Sequence, residues 1–259
     1  MEEMIDLHLN GNLNLFFSDV IKCENYDIYY SDLIEDEYWN YAFIRNNNID
    51  LRNISQIITN QMKQINRKPV MYIASNIVNE KLEQDIKNLN LNLIYTDCWM
   101  FLEDLNKFET YKSSIDFSIY KVDKELQSIF IKAITDGFSG DDPNDPYDSL
   151  SEGYKISIEN SFQKNNNIIN YIGMKKDMPV GTATVLYNND KALIYNITTL
   201  KEYKRQGVCK QIMSYIINEL NNLKIKEICL QTEKGYYTEE VYKKMGFKEK
   251  ILGRAYSLL

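Results

Sequence analysis

The chemistry of this chain concentrates in Ile197-Thr198-Thr199-Leu200-Lys201-Glu202-Tyr203-Lys204-Arg205-Gln206-Gly207-Val208-Cys209-Lys210. The run reads as a strand, a short basic turn and the opening of a helix. A helix N-terminus leaves backbone amides without intrahelical partners and carries the positive end of the helix dipole, which suits a phosphate group. Gly207 permits close approach of a ligand to the backbone, and Lys204, Arg205 and Lys210 add positive charge. Cys209 falls on the first helical turn, where a thiol pKa tends to drop.

A second stretch, 136–152, has the opposite character. Asp136, Asp141, Asp142, Asp145, Asp148 and Glu152 occur there without one basic residue, and Gly137, Gly140, Pro143 and Pro146 break regular structure. A solvated acidic loop is one reading. The other is that Asp141, Asp142 and Asp145 attract a cationic amine, an effect that salt screens, with Phe138 and Tyr147 as flat apolar walls.

Composition removes several classes of function. The net charge of -7 and pI near 5.0 argue against nucleic-acid binding, which needs a concentrated basic face. Cys23, Cys98, Cys209 and Cys229 are widely spaced and His8 is the single histidine, so neither a zinc pattern nor a histidine-based triad is legible, and no metal is expected. His8 itself reads as a surface or terminal-strand residue. The acidic N-terminus lacks a signal-peptide pattern, and no stretch approaches the roughly 20 apolar residues that span a bilayer. A cytoplasmic protein with no membrane or nucleic-acid partner is the expectation, its cysteines reduced. With 44% hydrophobic and 26% charged residues, the 259-residue chain has ordinary folded composition.

The elements that must position these residues follow from periodicity. In the first half, 41–44 reads as a strand, 51–65 as a helix with Leu51, Ile54, Ile58, Met62 and Ile65 on one face, 70–74 as a strand, 79–89 as a helix and 91–100 as a strand. In the second, a strand at 117–122 leads to helices at 124–135 and 155–163. A hairpin of 168–174 and 180–186 follows, turning at Asp177-Met178-Pro179, then a strand at 192–199. A helix at 207–223 carries a stripe of Val208, Ile212, Tyr215, Ile216, Leu220 and Leu223. A strand at 227–232, a helix at 238–245 and closing strands at 247–258 complete the order. Nine of the ten glycines lie at or beyond Gly137, so backbone that approaches a ligand belongs to the second half. The two halves share the order strand, helix, strand, helix, strand, with 111–114 as the joint.

Thr199-Leu200-Lys201-Glu202-Tyr203 followed by Lys204-Arg205-Gln206-Gly207-Val208-Cys209 resembles the T-L-P-E-Y strand end and R/Q-x-x-G-x-G/A loop of the GNAT superfamily of acyl-CoA N-acyltransferases. Lys204 stands where that family has Arg or Gln, and Cys209 where it has Gly or Ala. Val241-Tyr242-Lys243-Lys244-Met245-Gly246-Phe247 resembles the family's L-Y-x-K-L-G-F segment, one strand and one helix after the loop. More faintly, Trp39-Asn40-Tyr41-Ala42, the 69–74 strand and Asp97-Cys98-Trp99-Met100 resemble the truncated N-terminal half of tandem members.

The resemblance implies an α/β fold: a mixed, mostly antiparallel central sheet flanked by helices at 114–259, preceded by a smaller, degenerate GNAT-like α/β module at 1–113. It implies acetyl-CoA as co-substrate, its pyrophosphate held by amides of Gln206 through Lys210 and its pantetheine arm along Ile197, Thr198 and Thr199. It implies that Tyr242 protonates the departing thiolate, a task open to a phenol with pKa near 10. Transfer is direct in that family, so Cys209 is not expected to be a nucleophile. The acceptor would be a small-molecule amine or a peptide. No carboxylate lies within 192–199 and Glu202 reads as solvated, so the general base is not legible. A non-catalytic acyl-CoA-binding regulatory module is the rival reading.

Overall fold

A computed structural model describes residues 2–102, 104–105, 108–138, 150–164 and 167–259. Its elements run α1 (Glu2–Gly11), β1 (Asp19–Lys22), β2 (Tyr26–Tyr30), β3 (Tyr41–Ile44), α2 (Leu51–Gln64), β4 (Val70–Ala74), α3 (Glu80–Leu89), β5 (Asn92–Leu102), β6 (Ser118–Lys121), α4 (Gln127–Gly137), α5 (Glu152–Lys164), β7 (Ile168–Lys175), β8 (Met178–Tyr187), β9 (Lys191–Thr199), α6 (Val208–Asn222), β10 (Glu227–Glu233), α7 (Tyr237–Lys243) and β11 (Phe247–Ser257). They gather into two compact units interleaved along the chain. The first holds Met1–Gly11, Phe101–Leu230 and Lys243–Lys248; the second holds Asn12–Met100, Gln231–Tyr242 and Glu249–Leu259.

In the first unit, β6, β7, β8 and β9 form an antiparallel run, and Glu227 to Leu230 of β10 pair in parallel with β9. Alternation along β8 sends neighbouring residues to opposite faces. Gly181 faces α6, where an added Cβ would meet Ile212 and Val208 at 3.1 Å. Thr182 faces the other side, where its hydroxyl meets that of Thr198 at 2.8 Å and donates to the Asn196 carbonyl at 3.0 Å. Burial of Val208, Ile212, Met213, Ile216, Ile217 and Leu220 fastens α6 to the sheet. The stripe is rotated from the one read in sequence, with Met213 and Ile217 inside while Tyr215 and Leu223 face solvent.

In the second unit, β1, β2 and β3 are antiparallel, β4 runs parallel to β3, and β11 pairs antiparallel with β4 through Gly253↔Ala74 and Tyr256↔Met71. One face is aliphatic: Ile28, Ala42, Ile44, Met71 and Ile73 pack with Ile54, Ile58 and Met62 of α2 and Leu82 of α3. Asp50 caps α2 and Asn79 caps α3, each side chain accepting from the amide three residues on. Residues of opposite parity line an aromatic face, on which Tyr41 stacks on Tyr72 at 5.1 Å and Phe43 on Tyr72 at 5.9 Å.

The two compact units follow strand pairing: β11 completes the sheet of β4, and α1 packs on β8 and β9. Several expectations for single elements change. The closing strands are a single strand. The β7–β8 turn falls at Lys176-Asp177, where Lys176 takes φ +54°, ahead of Pro179, which pairs with Met174. His8 lies on α1 and is buried, and burial pushes its imidazole down to about 4. No described helix is long and apolar enough to cross a membrane.

Candidate functional site

The run from Ile197 to Lys210 lies in the first unit and has the shape its residues suggest: β9, a 3-10 turn at Lys201–Tyr203, a left-handed turn and α6. β9 is irregular. Its pairing with β8 slips between Thr182 and Thr184 because Asn196, at φ +54°, adds a residue to the strand. Its register with β10 runs from Lys191 to Ile194 among the described residues, while the register with β8 continues to Thr199. One edge of Ile197, Thr198 and Thr199 is therefore free of the β10 ladder, as a strand must be to pair with an extended ligand.

Two left-handed residues shape the turn, Arg205 at φ +63° and Gly207 at φ +83°. Gly207 is the N-cap of α6 and no side chain caps the helix, so the amides of Val208, Cys209 and Lys210 precede the first intrahelical bond, Gln211 N donating to Gly207 O at 3.0 Å. Lys204 and Arg205 are exposed, and among the described residues neither enters an ion pair. The Lys210 ammonium lies 4.7 Å from the centre of the Tyr111 ring. Such a turn concentrates positive potential and free amides in one place.

The joint segment is part of this turn. Ser113 Oγ donates to the Gln206 carbonyl at 2.6 Å, Ser114 N donates to the same oxygen at 3.0 Å, and Ser113 N donates to Gln211 Oε1 at 2.7 Å. Tyr111 N donates to Ser214 Oγ at 2.9 Å. A Cβ on Gly207 would lie 3.3 Å from Ser113 Cα, so Gly207 is required both by its φ and by the joint passing beside it. That is a reason for glycine which sequence reading assigned to a ligand alone.

Cys209 is half-buried, and burial pushes its thiol up to about 12 against the pull of Lys210, the reverse of the drop expected at a helix N-terminus. Glu202 is exposed. Tyr242 is buried on α7 and belongs to the second unit. In the same unit Cys98 Sγ and the carboxylates of Glu239 and Glu249 draw within 4.8 Å of one another, and the cation among them is Lys234, 2.8 Å from Glu239 and also paired with Glu249.

Asp141, Asp142 and Asp145 lie outside the described residues, but both flanks of their segment are fixed. At the end of α4, Gly137 leaves no room for a side chain, since a Cβ would lie 2.5 Å from Thr198 Cβ. After the segment, Tyr154 OH donates to Asn196 Oδ1 at 2.8 Å, and Asn196 Nδ2 donates to Thr184 Oγ1 at 3.2 Å. Gly137 and Tyr154, which flank those residues in sequence, thus both meet the irregular stretch of β9. Sequence reading missed this buried polar network; its signal was Asn196 after the apolar run Ala192 to Tyr195.

Residues 150–254 match the family model for an acetyltransferase (GNAT) domain. No curated protein sequence matches the chain. Among solved structures, a GCN5-related N-acetyltransferase from Kribbella flavida is similar over 98% of this chain and 94% of its own, with a TM-score of 0.70 at 12% identity. A GCN5-related N-acetyltransferase from Sphaerobacter thermophilus is similar over 92% and 82%, with a TM-score of 0.66 at 8% identity. A functionally unknown conserved protein from Staphylococcus epidermidis is similar over 95% of each chain, at 0.65 and 12%. At these identities the likeness is one of fold.

Proposed function

We propose, from the premise that residues 150–254 form a GNAT acetyltransferase domain, that this chain transfers an acetyl group from acetyl-CoA to a primary amine. The observation that carries the reading is the turn at Lys204 to Lys210. Two left-handed residues, an uncapped helix N-terminus and three cations stand together directly after a strand whose edge leaves its parallel neighbour. A diphosphate fits the amides of Gln206 through Lys210, with Lys204 and Arg205 beside it, and an extended pantetheine arm fits the edge of Ile197, Thr198 and Thr199. Residues 114–259 are the catalytic domain in this reading and 1–113 a degenerate GNAT-like module.

The neutral amine attacks the thioester carbon, the C–N bond forms, and the C–S bond breaks with its electron pair on sulfur. Tyr242 supplies the proton to that thiolate, the nitrogen loses one proton to solvent, solvent returns one to Tyr242, and holding both reactants in place supplies most of the rate. Asp141, Asp142 and Asp145 draw a cationic acceptor, a small molecule or a peptide, by their charge. The test is acetyl-CoA titration by calorimetry, followed by coenzyme A release with a panel of primary amines. Binding with amine-dependent release is the expected result; binding with no release from any amine leaves an acyl-CoA-binding module in place of an enzyme.

A further inference from the structure

The carbonyl of Gln206 and the amide of Gly207 belong to one peptide unit, and its two polar ends meet different surroundings. Three donors converge on the carbonyl: Ser113 Oγ at 2.6 Å, Ser114 N at 3.0 Å and Ser114 Oγ at 3.2 Å. A backbone carbonyl has two lone pairs, so this end is fully occupied. At the other end, the Gly207 N–H donates no hydrogen bond among the described residues. It is left for a ligand.

The donors come from a segment laid along one face of α6. Gly207, Gln211 and Ser214 are spaced i, i+4 and i+7, which puts them in one row. Tyr111 N donates to Ser214 Oγ at 2.9 Å, and Ser113 N donates to Gln211 Oε1 at 2.7 Å. A Cβ on Gly207 would lie 3.3 Å from Ser113 Cα, so the row is closely covered as far as the turn. Tyr111 is also held by its hydroxyl, which donates to the Lys244 carbonyl at 3.0 Å. All of these residues lie in the first unit. The serines therefore meet Gln206 from a backbone that other bonds have already placed.

The geometry of the peptide turns this into a direction. Gln206–Gly207 is a trans peptide, in which the C=O and N–H bonds point opposite ways. With its carbonyl drawn toward Ser113 and Ser114, the unit aims the Gly207 N–H away from them. Glycine takes either sign of φ, so the sequence of the turn alone leaves this unit free to turn over. Turned over, it would present a carbonyl oxygen in place of the N–H, and a partial negative charge would then face an anion.

We propose that Ser113 and Ser114 are positioning residues for the diphosphate of the donor: by holding the Gln206 carbonyl they aim the Gly207 N–H at it. This rests on the acetyl-transfer reading above, in which the diphosphate lies against the amides of Gln206 through Lys210. Two serines outside the run 197–210 thus favour a thioester that carries a diphosphate over the same thioester without one.

The test compares wild type, Ser113→Ala and Ser113→Ala/Ser114→Ala, with acetyl-CoA and with S-acetylpantetheine, which has the thioester and no diphosphate. Calorimetry should show acetyl-CoA binding weakened by about tenfold in the double variant, the loss expected for one hydrogen bond to a charged group, with the single variant between. The contact is made equally before and during the reaction, so kcat at saturating acetyl-CoA and kcat/KM for S-acetylpantetheine should stay within about twofold of wild type. General loosening of the turn would lower these as well. In amide NMR spectra the Gly207 resonance should move when acetyl-CoA is added to wild type and stay in place in the double variant. A double variant that binds acetyl-CoA as tightly as wild type, or that loses both donors equally, overturns the proposal and leaves acetyl transfer standing. A wild type that binds acetyl-CoA and acetylates no amine overturns the transfer reading alone, because calorimetry and the Gly207 resonance still decide the role of the serines. A wild type that binds no acetyl-CoA overturns both.

Discussion

At the scale of single residues, burial sorts the candidates more sharply than residue type. Cys209 and His8 are the groups a chemist would first suspect, and burial pushes the thiol up to about 12 and the imidazole down to about 4, leaving both uncharged at neutral pH. Tyr242 is suited to its assigned step because a phenol stays protonated at neutral pH and can still give up a proton. Tyr242→Phe keeps the buried ring and removes the hydroxyl that carries the proton. Turnover should fall by about 100-fold to 10,000-fold with acetyl-CoA affinity unchanged, as steady-state rates and calorimetry would show. Wild-type turnover in that variant would make Tyr242 a packing residue.

At the scale of elements, the turn before α6 is held by the joint as much as by its own sequence. Gly207→Ala places a side chain at φ +83° and 3.3 Å from Ser113 Cα, and should cost about 1–2 kcal/mol in denaturant unfolding. An unchanged midpoint would mean that the turn relaxes freely. The elements themselves were largely legible. Helices α2 and α6 and strands β3, β4, β7, β8 and β9 are rich in apolar residues, and Gly207 after a basic turn marks the helix start. What escaped was short or non-local. β1 and β2 are no longer than β3 and β4 but carry Asp19, Lys22 and Asp27, which break so short an apolar run, and α1 buries only Met4, Ile5, His8 and Leu9. The hydrogen bonds of Asp97 to Tyr72 and Gln231, and the space that Gly253 leaves for the Tyr72 hydroxyl, escaped because these residues are distant in sequence and the sheet brings them together.

At the scale of the whole molecule, the net charge of -7 gives a field that favours cationic acceptors, and the acidic segment is its densest part. Replacing Asp141, Asp142 and Asp145 together by Asn should raise the KM for a cationic amine and flatten its dependence on salt, with acetyl-CoA affinity nearly unchanged. A triple variant that matches wild type at low and high salt would return those residues to the solvated surface. The interleaving of the two units bears on how the protein is made. A chain emerging from the ribosome folds early only those parts whose partners have already appeared. β4 waits for β11, and α1 waits for β8 and β9. The N-terminal half is therefore synthesised first and finished last. A chain stopped before β11 would leave β4 with an open edge, a surface on which nascent chains aggregate.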